Sequence, residues 1–309
     1  MRPPRVRNPI IPANKTERTG TGRIIRRAVA QINVRFAQLQ RDVLAAFARI
    51  PTYALNDAKV LYGLTPQQMQ QLTGELQASL DAAIVRQGAD PGQFWWSPFV
   101  QEANQLGTAQ SVANLTNLSS AYGAGRSLQT VIFSDAYRNR VGIAQTKSYE
   151  HWTGLASSIR AELSDIIGSA VADGRNPKEV SALIRDRLDV SASKAKQYAQ
   201  TDITDSLRQA RMAEADVASA DYGLNIGLLW TSAFLPTTRS WHASRNGSVY
   251  TSAQVRDFYN ERGNRYNCHC ATTECLMDSD GKPILSDSLK ASMKKEKEDW
   301  QAEFHSGSS

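Results

Sequence analysis

Apolar residues recur along the first half of the chain at helical spacing. Ile25, Val29, Ile32, Phe36, Leu39, Val43 and Ala46 follow alternating steps of four and three. This puts them on one stripe of a helix beginning near Thr21, with Arg26, Arg27, Arg35 and Arg41 off it. Such a narrow stripe suits a coiled-coil seam or a partner helix, although core packing is its more frequent use. Thr65-Pro66 joins an N-cap residue to proline at the first helical position and predicts a helix through about Val85. Ala89-Asp90-Pro91-Gly92 interrupts the pattern, Phe94-Trp95-Trp96 supplies a bulky anchor, and Ser97-Pro98 launches a helix to about Tyr122. The glutamine, asparagine and alanine content of these segments suits packing among neighbouring helices. Gly123-Ala124-Gly125 reads as a break, Ser134-Asp135 as a start, and Gly174 as the C-cap of a helix reaching about Asp173. Asn176-Pro177-Lys178-Glu179 opens another helix with a capping glutamate. Ser191 begins the next, which runs to about Tyr222 before Gly223.

The period changes after Gly223. Ile226 to Thr231 is a short apolar run with the character of a buried strand. Asn246-Gly247 before Val249-Tyr250 reads as a tight turn into a second. Ser252 to Arg262 is helical, Cys268 to Met277 is most simply a strand, and a charged helix from about Ser286 to Phe304 precedes a tail at His305 to Ser309. The expected fold is mainly α, an elongated helical body with a small C-terminal α+β lobe. The divisions expected are a basic arm at 1–20, helical regions at 21–130 and 131–223, the lobe at 224–284, and a closing helix and tail at 285–309.

Charge changes this picture at one end only. Residues 1–50 carry eleven Lys and Arg against Glu17 and Asp42, a balance of +9, while the whole chain of 309 residues stands at +6 and the remainder therefore at −3. A short cationic arm is suited to a phosphate backbone, giving salt-dependent, sequence-independent affinity. Arg2, Arg5, Arg7, Lys15, Arg18, Arg23, Arg26 and Arg27 are the candidate contacts to double-stranded DNA. A solvated arm or an acidic protein partner is the alternative. No apolar run approaches the roughly 18 residues of a membrane span, so no membrane partner is expected. Three cysteines, an odd number, argue against a disulfide framework.

The unusual chemistry lies between Trp230 and Cys275. That stretch holds all three cysteines and two of the four histidines. Cys268 and Cys270, two apart on a strand, direct their sulfurs to one side. The Asn246-Gly247 turn can bring His242 over them, and Cys275 is a candidate fourth donor. Thiolates and imidazole in a tetrahedral array suit one structural zinc ion on His242, Cys268, Cys270 and Cys275. The plainer alternative is that the cysteines pack as small buried residues. Arg239 is expected in a salt bridge, Thr201 and Asp202 in hydrogen bonds from helix to lobe, and Trp230 and Trp241 in the core.

The order of these pieces carries a resemblance. Ala-Asp-Gly-Arg-Asn-Pro-Lys-Glu-Val at 172–180 leads to Ala199-Gln200-Thr201-Asp202, Arg208-Gln209-Ala210-Arg211, Trp230, Arg239-Ser240-Trp241-His242, Gly247, and Asn267-Cys268-His269-Cys270. Over about residues 160–280 this resembles the phage head morphogenesis family, the minor head proteins similar to protein F of phage Mu. That family shows a Thr-Glu helix motif, a Trp-led strand, an Asp-Arg-Thr stretch, a Gly turn and Asn-Cys-Arg-Cys. Here Asp202 stands in place of Glu, Leu235 and Thr237 in place of Asp and Arg, and His269 in place of Arg.

The resemblance implies a minor capsid protein of a tailed phage, associated with the portal protein, the major capsid protein and packaged DNA during head assembly and genome delivery. Its places would be the virion, at the capsid interior or portal vertex, and the host cytoplasm during assembly. It makes Thr201, Asp202, Trp230, Arg239, Gly247 and Asn267 structural motif positions and implies no enzyme. Two alternatives stand beside it. One is a zinc-dependent hydrolase or nuclease using His242, the cysteines and Asp202, for which no general base stands at a defined spacing. The other is a DNA-binding module acting through the basic arm.

Overall fold

A computed structural model describes residues 6–55, 59–87, 90–261 and 263–304. Arg2, Arg5, Ala89, Arg262 and the His305–Ser309 tail lie outside the described residues. In chain order the elements are α1 (Gly22–Ala48), β1 (Thr52–Ala54), β2 (Val60–Tyr62), α2 (Pro66–Leu80) followed by a π-helical turn at Asp81–Val85, β3 (Arg86–Gln87) and β4 (Asp90–Phe94). Next come α3 (Ser97–Leu118), α4 (Ser120–Gly125), α5 (Leu128–Ile132), α6 (Asp135–Asp173) and α7 (Pro177–Tyr222). The chain finishes with β5 (Ile226–Thr231), α8 (Ser240–Ala243), β6 (Val249–Tyr250), α9 (Ser252–Asn260), β7 (Ala271–Leu276) and α10 (Asp287–Phe304). The architecture is mainly α with a small antiparallel sheet near the C-terminus, as the periodicity predicts. No described helix is long and apolar enough to cross a membrane.

Two compact units divide the chain without following its order. Unit 1 comprises residues 1–25, 99–144 and 200–309; unit 2 comprises residues 26–98 and 145–199. Helices α1, α6 and α7 contribute residues to both.

Unit 2 is organised around aromatic packing. Trp95, Trp96 and Trp152 are buried, with ring centroids 4.8 to 5.2 Å apart. The Arg35 guanidinium lies 4.3 Å from the centroid of a Trp95 ring and donates to the carbonyls of Ala82, Ala83 and Arg86. An arginine at the end of a π-turn thus satisfies carbonyls that regular helix geometry leaves open. The buried line of α1 runs through Ala28, Ile32, Phe36, Leu39 and Val43, with Val29 only half-buried. Thr65 caps α2 reciprocally with Gln68, as its sequence signature requires. Two short hairpins, β1–β2 and β3–β4, occupy segments in which no strand was expected.

Helix α7 also departs from expectation, running unbroken through Ser191. The Ser191 hydroxyl donates back to the Arg187 carbonyl, 2.9 Å away, so the side chain bonds inside the helix instead of capping a new one. At the other end Gly223 adopts φ +61°, the left-handed stop its position predicts. The Gly123–Gly125 segment forms the last turn of α4, and the helix stops there with Arg126 extended.

In unit 1 the sheet has the order β6-β5-β7, antiparallel throughout. Its alternation defines two faces. Leu228 and Trp230 of β5 meet Met212 and Ala215 of α7 and Val255, Phe258 and Tyr259 of α9, together with Cys268 and Cys270. Leu229 and Cys275 turn the other way, onto Leu285 and Met293. A charged pair docks the helices on the first face. Glu274 of β7, fully buried, accepts from Arg211 of α7 at 2.8 Å, from the Ser111 hydroxyl at 2.5 Å and from the Asn114 amide at 2.9 Å. Helices α3 and α7 also approach closely: a Cβ on Gly107 would lie 2.5 Å from the Leu207 carbonyl oxygen.

Burial alone would raise the pKa of Glu274, but the Arg211 charge and these hydrogen bonds outweigh it and hold the carboxyl below its ordinary 4.5. A carboxylate depressed in the folded state stabilises above its unfolded pKa and loses that contribution as pH falls through the folded value. Urea-unfolding midpoints measured from neutral pH downward should therefore begin to fall near the unfolded pKa. Glu274→Gln should lower the neutral-pH midpoint and flatten that acidic limb; an unchanged limb would show that other carboxylates set it.

Candidate metal and scaffold site

The site lies in unit 1, where two segments of the lobe converge. The first leaves β5 after Thr231 and is held by small polar residues. The Trp230 indole donates to the Ser232 hydroxyl at 3.1 Å, and that hydroxyl donates to the His242 carbonyl at 2.7 Å. Asn246 accepts from the Ser232 amide at 2.9 Å and donates to the Met293 carbonyl at 2.9 Å. Gly247, at φ +80°, closes the loop by donating to the Trp230 carbonyl at 3.0 Å. A β-carbon is strained in that conformation, which is why a glycine follows Asn246.

The second segment is Asn267 to Cys270. Asn267 has φ +51°, the one positive value among described non-glycine residues, and asparagine tolerates this region better than most. Its amide donates to the Thr201 hydroxyl at 3.1 Å, the helix-to-lobe bond expected of Thr201. The three following carbonyls alternate in partner. Those of Cys268 and Cys270 accept from Arg208 Nη2 at 2.7 and 3.0 Å, and that of His269 accepts from the Arg18 amide at 3.3 Å. This is the alternation of an extended segment, and it sends both cysteine side chains to the same side. The predicted strand starts only at Ala271, because the carbonyls before it are bonded to arginine and to the arm instead of to β5.

Arg208 is buried and fully employed. Besides the two cysteine carbonyls it donates to the Thr204 hydroxyl and Asp205, each at 3.1 Å, and its guanidinium lies 4.4 Å from the Tyr259 ring centroid. The sequence places Arg208 in a motif without giving it a partner, and Glu274 in none. The available signal was a pair of arginines one helical turn apart on α7, matched by one acid inside an otherwise uncharged strand.

His242, Cys268 and Cys270 come together as predicted. Nδ1 of His242 stands 3.4 Å from the Cys268 sulfur and 3.9 Å from that of Cys270, and the three donor atoms all lie within 4.8 Å of one another. The Ala233 amide donates to Cys270 Sγ at 3.5 Å, and the Tyr259 hydroxyl is 3.7 Å from Cys268 Sγ. Burial opposes ionisation of Cys268, but the hydrogen bond from Cys270, the Arg208 charge and His242 carry its thiol well below the ordinary value. Cys270 moves up, since its proton is held by Cys268 and burial adds to the effect. A cavity of about 100 Å³ adjoins the three, lined also by Thr237, Thr238, Arg239, Asn267 and His269.

Cys275 is not a fourth member. It lies on the opposite face of the sheet, packed with Leu229 and Met293, and burial, with the neighbouring Glu274 charge, pushes its thiol up to about 12. The remaining predicted residues take definite places. Asp202 is buried on α7 beside Thr201, and Trp230 is fully buried. Trp241 is 52% exposed, not core, with its indole donating to Asn264. Arg239 forms no salt bridge among the described residues; it donates to the Tyr266 carbonyl at 3.1 Å and to that of Asn264 at 3.5 Å.

The arm is attached to the lobe. Arg18 is 2% exposed and donates to the Ser232 and Pro12 carbonyls and to Glu296. It is thus withdrawn from any contact with DNA, because all three of its donor nitrogens are satisfied internally. Lys15 stands 3.8 Å from Glu296 but is largely exposed. Arg7 donates to the Asn117 carbonyl from an exposed position, and Arg23, Arg26 and Arg27 are exposed on the first turns of α1.

Arg208→Ala should cost about 3–5 kcal/mol in urea unfolding, because it strips two buried carbonyls of their donor and leaves Asp205 with Arg265 alone. Arg208→Lys should recover little of that, since a single ammonium cannot span the same acceptors. Full recovery by lysine would mean that charge alone holds the segment.

Against known proteins, residues 161–273 match the family model described as Phage Mu protein F like protein. The match takes in residues 161–199 of unit 2 and 200–273 of unit 1, and it ends inside β7. No curated protein and no solved structure matches the chain. Over this stretch, a little more than a third of the chain, the protein is therefore similar to the phage Mu protein F-like family.

Proposed function

We propose that this protein is a minor capsid component of a tailed phage. In this reading it associates with the portal and major capsid proteins during head assembly, touches packaged DNA through its basic N-terminal residues, and takes part in genome delivery. The observation that carries it is the family match over residues 161–273, whose motif residues form the internal framework of the lobe. Thr201 and Arg208 hold the Asn267–Cys270 segment, Arg239 holds the loop just before it, and Trp230 fills the core. Side chains engaged in this way maintain a shape, and a non-enzymatic role fits that use better than a hydrolase or nuclease built on His242 and Asp202.

Quantitative mass spectrometry of purified particles tests the assembly role. A low, reproducible ratio to the portal protein is the expected result. Absence from both assembling and mature heads would refute it.

The DNA contact rests on Arg7, Lys15, Arg23, Arg26 and Arg27, the exposed cations among the described positions expected to meet DNA. Counterion release gives each phosphate contact about 0.9 in the slope of log K against log salt. Replacing Arg7, Arg23, Arg26 and Arg27 together by glutamine should lower that slope by up to ~4 on this basis, read by fluorescence anisotropy on duplex DNA. An unchanged slope would assign the arm to a protein partner.

A further inference from the structure

We propose that the lobe holds one zinc ion on Nδ1 of His242 and the sulfurs of Cys268 and Cys270, with the fourth coordination position open to the adjoining cavity. Zinc bonds of about 2.3 Å to sulfur and about 2.0 Å to nitrogen imply tetrahedral edges of about 3.5 Å from sulfur to nitrogen and about 3.8 Å between sulfurs. The observed 3.4 and 3.9 Å from Nδ1 to the two sulfurs already match. The third edge, between the sulfurs, is no longer than 4.8 Å.

The surroundings hold this arrangement in advance. Arg208 fixes the carbonyls of Cys268 and Cys270, and Ser232 fixes that of His242, so donors 26 and 28 residues apart are positioned by different networks. His242 is 2% exposed, and its Nε2 has no hydrogen-bond partner among the described residues. Its ring lies edge-on to Phe258, centroids 5.0 Å apart, and to Trp230, at 6.1 Å. Aromatic surroundings accommodate an N–H far better than a bare lone pair. They favour the tautomer with the proton on Nε2, which leaves the Nδ1 lone pair for a metal. Two sulfurs and an imidazole form a soft donor set that suits zinc and disfavours calcium or magnesium.

Cys275 cannot complete the set, because strand alternation places it on the other face of the sheet. The fourth position instead meets the cavity lined by Thr237, Thr238, Arg239, Asn267 and His269, where an exchangeable water would sit. The ion would clip the loop after β5 to the segment before β7. Unlike a closed four-ligand site, it would keep one labile position. None of this depends on the assembly role.

The test is metal analysis of the full-length protein purified under reducing conditions, with X-ray absorption at the zinc edge and cobalt(II) substitution. The expected result is one zinc per chain with two sulfurs in the first shell, and cobalt(II) giving sulfur charge-transfer bands with tetrahedral d–d absorption. Cys275→Ser should keep its full zinc content, while Cys268→Ser and Cys270→Ser should fall to near zero. Folded wild-type protein that takes up neither zinc nor cobalt(II) would overturn the proposal and leave a hydrogen-bonded thiol pair. A three-sulfur shell that drops to two in Cys275→Ser would overturn it as well. The wild-type measurements decide the matter even if the Cys268 and Cys270 variants fail to fold.

Discussion

The bond from the Arg208 guanidinium to the carbonyls of Cys268 and Cys270 is the constraint on which the lobe depends. A guanidinium in a protein interior carries a large desolvation cost and is tolerated only when its donors are satisfied. Here every nitrogen has an acceptor and the plane lies over Tyr259. Because the fork is rigid, it fixes the direction of the segment as well as its position. Both cysteine side chains are thereby turned toward His242. One turn along the same helix, Arg211 repeats the device on Glu274, so α7 grips the segment before β7 and the strand itself. Tyr122 and Arg126 close on Glu214 further along.

This arrangement explains why the motif residues of the matched stretch are scattered in sequence yet act together. The helix supplies Thr201 and Arg208, the sheet supplies Trp230, and the loops supply Arg239, Gly247 and Asn267. Each satisfies a backbone group or fills the core between helix and sheet. Apolar packing alone would hold a three-stranded sheet of this size weakly; charge-assisted bonds to backbone carbonyls add direction. The Cys/His trio is a product of the same scaffold, since the trio forms only where the arginine-held segment meets the serine-held one.

Much of this was legible in the sequence because it rests on short-range rules. Helix α1, the Thr65 cap, the Gly174 and Gly223 stops, strand β5 and the convergence of His242 on two cysteines all follow from periodicity, capping and alternation. The same alternation excludes Cys275 from the trio: if Cys268 and Cys270 share a side, an odd-numbered residue further along the strand faces away. Ser191 misled because a serine that bonds back inside a helix looks like a cap in sequence. Arg18 looked like one more cation of the arm, and nothing local announced that Glu296 and two carbonyls would bury it. The short hairpins and the Arg208 and Glu274 partnerships were not legible, as each depends on residues far apart in the chain.

Native-state hydrogen exchange under increasing denaturant tests the central claim most directly. If buried arginines bind helix and lobe into one body, the amides of Thr204–Ala215, Gly227–Thr231 and Ala271–Leu276 should merge into a single opening with one denaturant dependence. Exchange of the two strands at distinctly lower free energy, while the helix stays protected, would show that the lobe opens by itself and that the arginine bonds do not hold it.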